Sequence, residues 1–132
     1  MRGLVGDCQS YRDGIETMAP NLKPSEPLSQ VVFIHDYLQL VFQDEYFNVY
    51  NAAEVVWNET TLRQGQLGFC DALVSLIDQR VTSVSVSEPY KLSLTFERGF
   101  QFHVLSGDEA ARGPEAFEFH GSNNLLVVES NA

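Results

Sequence analysis

The chain predicts an α+β domain: a curled antiparallel sheet of about six to eight strands with one central helix, residues 67–79, packed on it. Three observations carry this. Tyr90, Leu92, Leu94 and Phe96 alternate with Lys91, Ser93, Thr95 and Glu97, and the alternation resumes after Glu97-Arg98-Gly99 with Phe100, Phe102 and Val104. Period-two patterning places one set of side chains on one face of a strand. A short connection ending in Gly suits a hairpin whose last loop residue takes positive φ. A second alternating block precedes Gly65, with Leu38, Leu40 and Phe42 set against Tyr37, Gln39 and Val41. Between the two blocks, Phe69, Cys70, Leu73, Val74, Leu76 and Ile77 recur at helical spacing. Meander, helix, meander is an α+β order.

In chain order, Leu4, Cys8, Tyr11, Ile15 and Met18 form a narrow apolar stripe on a possible N-terminal helix, residues 7–18, with Asp7 as cap and Pro20 as stop. Gly14 weakens it by about 1 kcal/mol relative to Ala. Pro20, Pro24 and Pro27 make a stiff arm, so residues 1–28 are read as helix plus arm and 29–132 as a single domain. The stripe either packs on its own domain or reaches a partner subunit.

From Ser29 the chain reads as β. Val31–Ile34 is a short strand, His35-Asp36 a tight connection, and Gln43-Asp44-Glu45 a turn before Tyr46–Tyr50. Glu54–Trp57 and Thr60–Arg63 follow as short candidates. After the helix, Val81–Val86 is β-branched and leads into the Tyr90 hairpin. The segment from Gly107 to Pro114 is a polar loop. Phe117 and Phe119 alternate with Glu118 and His120, and Leu125–Val128 closes the sheet.

At 132 residues the chain is long enough for one domain burying about two-thirds of its unfolded surface. Eighteen acidic against eight basic residues give a formal charge of −10, which ranks down nucleic-acid and anionic-membrane binding. No apolar run is long enough to span a bilayer and no h-region follows the N-terminus, so a cytoplasmic location is expected. Cys8 and Cys70 are then reduced thiols, with Cys70 expected on the buried side of the central helix.

His35, His103 and His120 all fall at strands or strand ends, and three gathered histidines would make an open zinc site. None sits at short ligand spacing, and His103 lies opposite the apolar set of its strand, so solvent exposure is expected for it; no metal and no cofactor is assigned. His35-Asp36 matches the doublet of the HD phosphohydrolases, which are helical, whereas here it lies between two strand patterns. No serine elbow, phosphate loop or dinucleotide fingerprint occurs.

Six of the 15 aromatics, Tyr37, Phe42, Tyr46, Phe47, Tyr50 and Trp57, fall in one short stretch. With Leu38, Leu40 and Phe42 inward, Tyr37 and Val41 point the other way. This second face is either a second core or an interface. The binding candidates are Tyr37, Tyr46, Tyr50, Trp57, His35 and His103. They would serve a protein that engages another, basic protein through the aromatic face and an acidic rim, and that forms a homodimer. The alternatives are an aromatic pocket for a small molecule and, third, a small hydrolytic enzyme.

The run Tyr37-Leu38-Gln39-Leu40-Val41-Phe42, the segment Phe47-Asn48-Val49-Tyr50-Asn51, the hairpin Leu92-Ser93-Leu94-Thr95-Phe96-Glu97-Arg98-Gly99 and Gly113-Pro114-Glu115-Ala116-Phe117 resemble small acidic bacterial α+β proteins. These are of immunity-protein type or are orphans carried on mobile gene cassettes. The resemblance covers about residues 31–120 and implies an acidic binding or inhibitory role, with no functional residue carried over.

Overall fold

A computed structural model describes residues 17–132. Among these residues the chain is mostly antiparallel β with one short α-helix. In order it forms β1 (Gln30–Phe33), β2 (Leu38–Phe42), β3 (Glu45–Val49), β4 (Ala53–Trp57), β5 (Thr60–Arg63), α1 (Phe69–Val74), β6 (Val81–Ser85), β7 (Tyr90–Phe96), β8 (Gln101–Leu105), β9 (Glu115–His120) and β10 (Leu126–Ser130). The single curled sheet of six to eight strands gives way to two five-stranded sheets. The first has the order β1-β2-β3-β9-β10 and the second β5-β4-β8-β7-β6.

The division falls between β3 and β4. Their alternations run nearly end to end in sequence, but β3 takes β9 as its second neighbour and β4 takes β8. Asn51 holds this corner. It is 1% exposed, its Nδ2 donates to Leu105 O (3.0 Å) and Asn131 Oδ1 (2.8 Å), and its Oδ1 accepts from Asn131 Nδ2 (2.9 Å). Strands with only one apolar face bury it most fully when two sheets close on each other. The core between them takes Leu38, Leu40, Phe42, Phe47, Val49, Phe117 and Phe119 from the first sheet. Val55, Leu92, Leu94, Phe96, Phe102 and Val104 come from the second. Phe42 and Phe96 stack across the interior, centroids 6.5 Å apart. The Tyr90 hairpin forms, with Gly99 at φ +86° closing the turn, and Leu92, Leu94 and Phe96 point inward; a register shift between Tyr90 and Leu92 takes Tyr90 itself out of that set.

The central helix is shorter than the pattern 67–79. After Val74 the bonds tighten to three-residue spacing, as in Leu76 N–H to Leu73 O and Ile77 N–H to Val74 O. Asp78, at φ 79°, then turns the chain and donates its N–H to Leu28 O. On six helical residues only one stripe reaches the core: Phe69 and Leu73, with Leu76 just beyond, are buried. Cys70 and Val74, four apart, share the opposite stripe, so Cys70 is exposed rather than buried. The helix packs on β4 and β5.

Residues 7–16 of the expected N-terminal helix lie outside the described residues. Its last two, Thr17 and Met18, are extended instead: Val86 N–H donates to Thr17 O and Met18 bridges Ser85 along β6. The Pro-rich segment then makes one 3-10 turn at Pro20–Leu22 and crosses to the first sheet, with Leu22 and Leu28 buried in the common core.

Candidate functional site

The outer face of the first sheet follows from register. With Leu40 and Phe47 inward, Gln39, Val41, Tyr46, Asn48, Glu118 and His120 must face out, and pairing sets them in rows. Tyr46 lies beside Val41 and His120, and Asn48 beside Gln39 and Glu118. Tyr37 and Tyr50 flank the ends of β2 and β3, with ring centroids 5.4 Å apart. All three tyrosines are partly exposed. Because α1 packs on the second sheet, no helix among the described residues covers this face.

A hydrogen-bonded row crosses it. Gln39 Nε2 donates to Asn48 Oδ1 (2.8 Å), Asn48 Nδ2 to Glu118 Oε1 (3.2 Å), and His120 Nε2 lies 3.1 Å from the same oxygen. Tyr46 lies flat against the His120 ring, 4.4 Å away and 10° from parallel. The hydrogen bond from His120 holds the Glu118 carboxyl below its usual range; burial opposes this, and bonds from Asn48 and Tyr50 add to it. Burial first, then the charge of Glu118 and the hydrogen bond to it, pushes the Tyr50 hydroxyl up to about 12. The face therefore carries a fixed anion among three tyrosines. None of the five strands of this sheet contains Lys or Arg, while Glu45, Glu115, Glu118 and Glu129 lie on them.

The opposite outer face carries a second polar cluster. Tyr90 covers the His103 ring at 3.9 Å and 7°. Ser93 Oγ is 2.8 Å from His103 Nδ1, and Gln101 Oε1 is 3.2 Å from Nε2. Glu54, 4% exposed, pairs with Arg63 at 3.3 Å. His103 is 5% exposed, not solvated as the alternation implied, because Tyr90 roofs it. Burial lowers its pKa, and the Glu54 charge opposes that.

Of the six sequence candidates, Tyr37, Tyr46 and Tyr50 come together on the first sheet. His103 lies on the far side of the sandwich. Trp57, 47% exposed, ends β4 stacked on Phe100 at 5.2 Å. His35 stands in the β1–β2 loop with its side chain 99% exposed, and its neighbour Asp36 is 3.8 Å away. His35, His103 and His120 are thus spread over a loop and two opposite faces. Among the described residues no group of three or more His, Cys, Asp or Glu side chains could hold a metal ion. Gln39, Asn48 and Glu118 were missed, because their row depends on the β3–β9 pairing between residues 70 apart. The available signal was the alternation of Glu118 and His120 with Phe117 and Phe119, which turns both polar residues outward.

No family model matches the chain, and no curated protein or solved structure matches it either. Among the described residues no helix is long and apolar enough to cross a membrane.

Proposed function

We propose that this chain is a binding protein that engages another, basic protein through the outer face of its first sheet. The observation that supports it is one arrangement: Tyr50 bonded to the Glu118 carboxylate, Tyr37 against Tyr50 and Tyr46 against His120, on a sheet whose strands hold no Lys or Arg. Tyrosines give large, rigid contact area at low entropic cost, and the acidic field of a chain with net charge −10 speeds encounter with a cationic surface. A cytoplasmic location goes with this reading, as does the inhibitory role of small acidic bacterial proteins. A small polar ligand is the second reading, favoured by the pre-tied row of Gln39, Asn48 and Glu118, whose remaining donors and acceptors are already oriented.

The test compares immobilised wild type with Tyr46→Ala, Glu118→Gln and Trp57→Ala as bait in lysate of the source cells. A basic protein retained by wild type and Trp57→Ala, lost by the other two, and released by salt is the expected result. Retention indifferent to Tyr46 and Glu118, with all melting temperatures unchanged, overturns it.

A further inference from the structure

Four strand edges close the two sheets, and they are not equivalent. Thr17, Met18 and Ala19 cover the β6 edge: Val86 N–H bonds Thr17 O, Met18 bridges Ser85, and Ala19 N–H bonds Val84 O. The β5 edge is short and polar, with Thr60, Thr61 and Arg63. In β1, the Ile34–Tyr37 pair exchanges both backbone bonds, so Val31 and Phe33 carry the outward backbone groups. Val31 already packs its side chain on the core.

At β10 the alternation is fixed by Gly121 N–H donating to Leu125 O at 2.8 Å. Two residues on, Val127 and then Glu129 bond β9, so Leu126 and Val128 turn their N–H and C=O groups outward. Their side chains stand on the outer face, opposite His120 and Glu118, and are 55% and 45% exposed. No Pro, Lys or Arg lies on this strand, and Pro and Lys are the devices that commonly blunt an edge. Only at the C-terminal end of the strand does a Lys come near: Lys91 Nζ donates to Ser130 O at 3.0 Å and lies 4.0 Å from Glu129.

We propose that β10 pairs antiparallel with β10 of a second copy, about a two-fold axis through Val127. That register sets Leu126 against Val128 of the partner subunit and Val128 against Leu126 of the partner subunit. Each pair exchanges two backbone hydrogen bonds, and each buries an apolar contact on the outer face. It sets Glu129 against Leu125 of the partner subunit, so no acidic residue of the strand faces another. An antiparallel edge satisfies itself under two-fold symmetry, as a dimer interface requires. The product is a continuous ten-stranded sheet, formed from two five-stranded ones, with the tyrosine face present twice on one side. The inference does not depend on what that face binds.

Light scattering on the eluting full chain tests it, with Val128→Pro and Val128→Lys. Proline at 128 removes only an outward N–H and leaves the ladder to β9 intact. Wild type is expected at twice the chain mass and both variants at one chain mass, with circular dichroism unchanged; should the proline variant unfold, the lysine variant decides. The double variant Leu126→Cys/Val128→Cys should give a disulfide-linked dimer under mild oxidant. Peptide mapping should place the bond between position 126 of one copy and position 128 of the other, since paired Cα atoms about 5.5 Å apart suit a disulfide. A monomeric wild type up to roughly 100-fold above micromolar concentration overturns the proposal. So does a dimer that persists in Val128→Lys, because the interface then lies elsewhere.

Discussion

Glu45, at the start of β3, holds Ser25 of the Pro-rich segment against the sandwich: its Oε1 accepts from Ser25 N–H at 2.9 Å and from Ser25 Oγ at 3.0 Å. The carboxylate is 9% exposed, and its other oxygen accepts from Ser122 N–H at 3.4 Å. One inward-facing side chain thus ties the arm, β3 and the β9–β10 turn together. Replacing it takes the charged acceptor from three donors at a part-buried site, at about 1–3 kcal/mol. Glu45→Ala should lower the unfolding free energy by that amount and speed amide exchange at Ser25. Leu28, whose N–H bonds Gln79 O, should keep its protection. Equal protection at Ser25 in both proteins would show the arm is held by Leu22 and Leu28 alone.

His103 gives the fold a pH dependence of known sign. Burial beneath Tyr90 sets its folded pKa below the ordinary value of 6.5, with Glu54 opposing. The unfolded chain then binds the proton first as pH falls, so stability is fully present above about 6.5 and declines below it until the folded pKa is reached. Charged Glu54 and Arg63 face the site from β4 and β5, and Tyr90 from β7. Urea midpoints measured between pH 7.5 and 5 should fall with pH in wild type and fall less in His103→Gln. Parallel slopes would remove His103 as the source.

At the other end of the scale, Tyr50 should be the last tyrosine to ionise, its hydroxyl being pushed up to about 12 by burial and by Glu118. A raised acid pKa means the stabilising, protonated form is present below the unfolded value and lost as pH rises through the folded one. Phenolate absorbance should therefore show a last step in wild type that is absent in Tyr50→Phe, while Tyr90, also raised by burial and by Glu54, still ionises above the ordinary range. Glu118→Gln should bring the last step earlier but leave the burial contribution. An unchanged last step in Tyr50→Phe would assign it to another ring, Tyr90 first.

Local patterning made every strand legible, because alternation is written in neighbouring residues: Leu92, Leu94 and Phe96 are buried and Lys91, Ser93 and Thr95 lie opposite. What alternation does not encode is which strand lies beside which. The β3–β9 and β4–β8 pairings join residues far apart, and they turned one expected sheet into two. The same gap hid the row from Gln39 to His120 and scattered Trp57 and His103 away from the tyrosines. Cys70 departs from its expected buried side for a smaller reason: the stretch is helical for only six residues, and on them Phe69 and Leu73 alone reach the core.

Two glycines without positive φ separate packing from backbone freedom. A Cβ on Gly121 would lie 2.9 Å from Phe119 Cε2 and 3.1 Å from Leu125 Cδ2, while Gly113 has nothing within 4 Å. The Phe119 ring is fully buried and leans on Phe47 at 4.6 Å, so it has little room to give. Gly121→Ala should therefore cost about 1–3 kcal/mol by overpacking. Gly113→Ala should be neutral or stabilise by roughly 0.4–1 kcal/mol, because Ala narrows the unfolded ensemble without strain. Denaturant midpoints at equal m-values measure both. Equal effects would mean that the β9–β10 turn relaxes freely, and would loosen the frame that fixes the outward groups of Leu126 and Val128.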